Sequence, residues 1–182
     1  AHFVARKDYR KTYDVYKDDT LLNRQPKKSR KIFVCLDEQR GQYLVDGLVA
    51  MDFPLSSGVK AYPTKTGDYA VISKKEDHTS NLYGKMYDAE GKCINYNAES
   101  TDPVPEGGRF DGSPMPYWQR LTNAGLGLHV GKVRRHPVSH GCVRLPRNVA
   151  EILYRQTSIG TPVTIRKTPL PVPEAQKVPA VQ

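Results

Sequence analysis

One segment of this chain carries a clear helical period. Between Pro146 and Arg155 the apolar residues Val149, Ile152 and Leu153 fall at the i, i+3, i+4 spacing of a single helix face, and Pro146 suits a first turn. Elsewhere the ordered stretches are short β-rich runs closed by turn residues. Lys31 to Asp37 and Gln42 to Asp46 flank a Gly-containing turn and predict a hairpin, and Leu48 to Leu55 adds a third strand. Gly67 to Ser73, Tyr117 to Leu121, Leu126 to Val130 and Thr161 to Arg166 read as further strands. Gly91 to Pro116, with Pro103, Pro105, Pro114 and Pro116, has little periodicity and reads as a long excursion loop of the kind that covers a site. The sum is a mostly β fold, a single domain over about residues 31–167 with one helix packed on it. Residues 1–30 read as a basic arm draped over that domain, and 168–182 as a Pro-rich tail without structure.

Composition narrows the class further. Hydrophobic residues are 38% of the chain and charged residues 26%, too apolar for a disordered polymer and too polar for a membrane protein. No uncharged apolar run approaches the ~18–20 residues that span a bilayer. The first residues lack the apolar core of a signal peptide, which fits either a cytoplasmic chain or a mature form trimmed of its leader. The net charge of +9 is unevenly placed: residues 1–31 carry +6 and 132–155 carry +5, around a middle of −4. Such basic zones suit nucleic acid, an anionic envelope or an acidic peptide, and equally a solvated surface with no specific partner. No nucleic-acid reader motif is present to favour the first.

The three cysteines, Cys35, Cys93 and Cys142, are widely spaced and form no Cys-x-x-Cys pair, so this is not a disulfide scaffold. If one bridge exists, Cys35 with Cys93 leaves Cys142 free. Cys35, inside a strand pattern, reads as a buried inert thiol. Cys142 stands in different company. His129, His136 and His140 crowd its segment together with Lys132, Arg134, Arg135 and Arg144, and a thiol needs such a base or positive charge to become a nucleophile. Gly141 permits a tight turn and close substrate approach, and the amides of Gly141 and Cys142 are suited to a developing oxyanion. Two other uses stay open on these residues: a packed, unreactive cysteine, or a metal site built from His129, His136, His140 and Cys142.

The string Ser139-His140-Gly141-Cys142-Val143-Arg144, preceded by a strand ending near His129 and followed by Leu145-Pro146, resembles the signature of the L,D-transpeptidase catalytic domain of bacterial cell-wall enzymes. Gln39 and its flanking strands, Ser57-Gly58, Pro63-Thr64, Thr66-Gly67 with Tyr69, Pro114 to Trp118 with Arg120-Leu121, and Gly160 to Val163 resemble other parts of that domain. The resemblance implies that family's β-sandwich, with the helix after the cysteine and the long loop over the site. It implies Cys142 as nucleophile, His129 as general base, and Gly141, Ser139 and His140 as oxyanion and orienting residues. Ser139 would bond toward the histidines and His140 would brace the turn. Arg144, Tyr117 and Trp118 would contact substrate. The implied partners are peptidoglycan stem peptides, with carbapenem β-lactams as inhibitors and neither cofactor nor metal required. It also implies export to the periplasm or cell envelope. The same residues serve a hydrolase that trims stems or detaches wall proteins, and a non-catalytic wall-binding module is the reading from another class.

Overall fold

The computed structural model describes residues 7–9, 11–26 and 29–169. In chain order its elements are β1 (Tyr16–Lys17), α1 (Asp19–Asn23), β2 (Arg30–Cys35), β3 (Arg40–Val45), β4 (Leu48–Pro54), β5 (Gly67–Ala70), β6 (Ser73–Lys75) and β7 (Thr79–Tyr87). They continue with β8 (Cys93–Glu99), β9 (Arg109–Pro114), β10 (Trp118–Arg120), β11 (Gly127–Val130), β12 (Val143–Leu145), α2 (Arg147–Gln156) and β13 (Pro162–Arg166). The chain is mostly β, as expected. Its strands form a six-stranded sheet in the order β1-β4-β3-β2-β13-β5, a four-stranded sheet β12-β11-β10-β6, and a three-stranded sheet β8-β7-β9.

The opening meander follows from local chemistry. Asp46 (φ 51°) and Gly47 (φ 80°) form the two-residue connection between β3 and β4, the positive-φ pair that matches strand twist in a tight hairpin. Asp46 Oδ1 also accepts the Ser29 amide at 2.9 Å. Inward-facing Ile32, Val34, Tyr43, Val45, Met51 and Phe53 of this sheet share one core with Leu128, Val143 and Leu145 of the four-stranded sheet. Val149, Ala150 and Leu153 of α2 seal that core, so the helical face read from the sequence is the buried face, with Ile152 packed at its margin. Pro146 stands just before the helix as its N-cap rather than within its first turn.

The arm is more than a drape. Asp18 caps α1 by accepting the Leu21 amide at 3.0 Å, and Leu21 and Leu22 enter the core. This short helix is absent from the sequence reading because five residues are too few to show a period. Beside it, β1 extends the six-stranded sheet along β4. On the face of β3 and β4 opposite the core, Arg40 and Asp52 are wholly buried as an ion pair at 2.8 Å. Arg40 donates to the carbonyls of Thr12 (3.0 Å) and Asp14 (3.1 Å), and Asp52 accepts from Tyr9 Oη (2.7 Å) and Gln42 Nε2 (2.9 Å). The arm thus supplies the partners that let two charges sit out of water.

The segment read as a long loop, Gly91 to Pro116, instead contains β8 and β9, which flank β7. Breaks in register near Gly84 and Met86, together with Leu82, Ile94 and Tyr96 left exposed among polar neighbours, erase the alternation by which strands are recognised. Its expected position is kept: residues of β7, β8 and β9 overhang the cavity described below. Of the tail, residues 170–182 lie outside the described residues.

Candidate active site

Alternation along the four-stranded sheet sorts its side chains. Leu128 and Val143 face the core, so their neighbours His129 and Arg144 face the other way, and register places them opposite one another on parallel strands. Across β10, Arg120 pairs with Gly127, which puts Arg120 and Trp118 on that same outer face. Gly127 makes room for the Trp118 ring, since a Cβ there would run into it. The outer face forms the floor of a cavity of about 790 Å³ that His129, Cys142, Arg144 and Trp118 line together, roofed by the three-stranded sheet.

His129 is 7% exposed, and Trp118 lies 6.0 Å from it between ring centres. Its Nδ1 is 2.7 Å from the Val130 carbonyl oxygen. Burial, against a partial offset from that hydrogen bond, pulls its pKa down to about 4, so the ring is neutral at pH 7. A carbonyl can only accept, so the one proton of the neutral ring sits on Nδ1 and the lone pair on Nε2. The tautomer suited to a general base is therefore set by the chain's own backbone.

Cys142 precedes β12, where Gly141 turns the chain at φ 112°. Its thiol points to the Gly125 carbonyl at 3.3 Å, and burial raises its pKa, opposed by a Gly127 backbone hydrogen bond and by the Arg144 and Arg120 charges. The resting pair is a thiol and a neutral imidazole. Ser139 does not reach toward the histidines as expected. Its Oγ donates to the Cys142 carbonyl at 2.5 Å and accepts the Gly141 amide at 3.2 Å, a brace across the turn, because those groups lie within three residues of it. His140 braces in another way: its ring stacks on Tyr83 of β7 at 4.4 Å and lies against Tyr62 at 4.8 Å. Tyr62 Oη in turn donates to Glu99 of β8 at 3.2 Å, so the Gly141–Cys142 turn and its roof are joined.

Of the residues read as substrate contacts, Trp118 and Arg144 line the cavity and Tyr117 does not. Tyr117 turns its ring to α2, 5.6 Å from Tyr154 and beneath Arg147; it precedes β10, and its positive φ (55°) turns the chain just before cavity-facing Trp118. His136 is exposed and His140 is held between tyrosines, and among the described residues no three His, Cys, Asp or Glu side chains are grouped so as to hold a metal ion. Cys35 is buried and all three cysteines are free, so Cys35 and Cys93 do not pair. Several site-building residues escaped the sequence reading of roles. Ser56 Oγ accepts the Arg134 and Arg135 amides at 2.8 and 3.1 Å, and Thr64 Oγ1 accepts from Gly58 N (2.8 Å) while donating to the Gly141 carbonyl (2.6 Å). Gln39 holds Ser57 through both ends of its amide, at 2.8 and 2.9 Å. Gln39, Ser57 and Thr64 did lie within the stretches that resembled the family.

The sequence profile of the L,D-transpeptidase catalytic domain (YkuD) matches residues 29–165. The chain belongs to this family. A curated relative, the probable L,D-transpeptidase 3 of Mycobacterium tuberculosis, is 31% identical over 121 residues, 63% of this chain and 38% of the relative. Among solved structures, an L,D-transpeptidase from Mycobacterium smegmatis superposes with a TM-score of 0.58 at 22% identity, covering 76% of this chain and 58% of that one. The Enterococcus faecium L,D-transpeptidase gives 0.55 at 27% identity, with 76% and 50% covered. The chain therefore spans between about two fifths and three fifths of these relatives. The family is one of cell-wall enzymes, and among the described residues no helix is long and apolar enough to cross a membrane.

Proposed function

We propose that this chain is an L,D-transpeptidase of the bacterial cell envelope, acting on peptidoglycan stem peptides through a thioester on Cys142. The carrying observation is the neutral, backbone-locked His129, whose unprotonated Nε2 shares one cavity with the Cys142 thiol. His129 Nε2 takes the thiol proton as Sγ attacks the carbonyl joining the third stem residue to D-alanine. The tetrahedral oxyanion needs donors. The Gly141 amide is already given to Ser139, which leaves the Cys142 amide for this role, worth about 3–4 kcal/mol in other enzymes. The carbon–nitrogen bond then breaks, His129 returns the proton to the departing amine, and D-alanine leaves behind a thioester. An amine of a second stem attacks that thioester, gives its proton to His129 and restores the thiol, forming a 3→3 cross-link.

A solved L,D-transpeptidase holds imipenem, and M. tuberculosis L,D-transpeptidase 3 holds a faropenem-derived adduct. These support β-lactams of this kind as acylating inhibitors of Cys142. The test is mass spectrometry after incubation with imipenem: Cys142→Ala loses the adduct and Cys35→Ala keeps it, whereas an adduct retained in the first refutes the reading. Incubation with muropeptides then separates a cross-linked dimer from the trimmed stem of a hydrolase.

A further inference from the structure

The cavity around Cys142 has an unbalanced charge. Lys65, Arg120, Lys132 and Arg144 line it, and among the described residues no Asp or Glu does. The imbalance is local, because residues 32–131, which supply most of the lining, sum to −4. Nor are these cations spent elsewhere. Arg120 donates to the Asn123 carbonyl at 3.5 Å and lies over the Trp118 ring at 5.9 Å, neither of which neutralises it, and the Arg144 stem lies across Gly131, where a Cβ would come within 2.7 Å of its Cγ. Among the described residues none of the four makes a salt bridge. Arg120 and Arg144 are half-buried on the floor beside His129, and Lys65 and Lys132 are exposed at the rim. Such a cluster, partly enclosed by low-dielectric walls, draws anions and disfavours a ligand that brings no negative charge.

We propose that this cavity selects donor stems whose carboxylates are left free over stems in which they are amidated. The inference rests on the peptidoglycan reading above and deepens it. A donor stem always carries a terminal D-alanyl carboxylate. Where unamidated it carries further carboxylates on its isoglutamyl residue and on a diaminopimelyl third residue. Conversion to a primary amide keeps the shape of each group and removes its charge, so it discriminates between attraction to the cations and mere fit. Arg144 and Arg120, planar and half-buried, are suited to bidentate contact near the reacting bond, and the two lysines act as point charges further out.

The test measures binding apart from turnover. Fluorescently labelled tetrapeptide stems, free-acid or amidated on both side carboxylates, are titrated against the Cys142→Ser protein by polarisation. The free-acid stem binds about fivefold more tightly for each carboxylate retained. That advantage shrinks at about 0.5 M salt, and it shrinks again when Lys65→Gln and Lys132→Gln are combined. Equal affinity for the two stems, tighter binding of the amidated stem, or no binding of either overturns the inference. The unsubstituted protein is then given both stems. Selective binding without any release of D-alanine leaves the selectivity standing and refutes the transpeptidase reading. Equal turnover and equal affinity for both stems do the reverse.

Discussion

Acidification tests the state of His129 directly. Unfolded, its ring takes a proton near 6.5; folded, only near 4, because the charged form would sit buried beside Trp118. That difference, about 2.5 in pKa, corresponds to about 3 kcal/mol against the imidazolium. Between these values the unfolded chain binds more protons than the folded one, so stability is complete above about 6.5 and is lost as pH falls toward about 4. The rate of acylation by imipenem, followed in single turnover from pH 3.5 to 9, gives the catalytic side of the same titration. At pH 5.5 a ring with a pKa near 4 stays more than about nine tenths neutral, whereas an unperturbed ring would be only about one tenth neutral. Acylation at pH 5.5 is therefore expected to remain near its plateau. Denaturant midpoints for the native protein and His129→Gln should diverge above pH 4 by an amount that grows toward pH 6.5. An acid limb centred near 6.5 or higher would refute the reasoning, because it would mean a solvated ring or a resting thiolate–imidazolium pair.

Asp52→Asn leaves the Arg40 guanidinium buried without its counter-charge, and urea unfolding should show a loss of about 3–5 kcal/mol, with earlier tryptic cleavage in the arm. Gly58→Ala drives a Cβ into the Tyr62 carbonyl and within 2.8 Å of Gly141 Cα; it should cost about 1–3 kcal/mol of stability and slow imipenem acylation by displacing the Gly141–Cys142 turn. Ser139→Ala removes the brace between the Gly141 amide and the Cys142 carbonyl. It should lower kcat about tenfold with KM little changed, and a KM effect alone would contradict the positioning role.

What local sequence determined is what short-range physics controls. The recurrence of Val149, Ile152 and Leu153 is set by helix pitch, so it was legible along the chain. That Cys142 and His129 belong together was legible too, because a thiol beside a glycine turn and an imidazole at the end of a strand are rare residue types, and the two do line one cavity. Tertiary structure decided the rest. Tyr117 and Trp118 look alike as adjacent aromatics, and only the backbone turn at Tyr117 and the pairing of Trp118 within the sheet send one to the helix and the other to the cavity. Thr64 reaches Gly141 across 77 residues, and Ser56 reaches Arg134 across 78, distances over which no local pattern carries information. The arm reads as polar chain until Arg40 and Asp52 are seen buried beneath it. Burying a charge is tolerable only where distant groups supply its hydrogen bonds, and that supply exists only once the chain has folded.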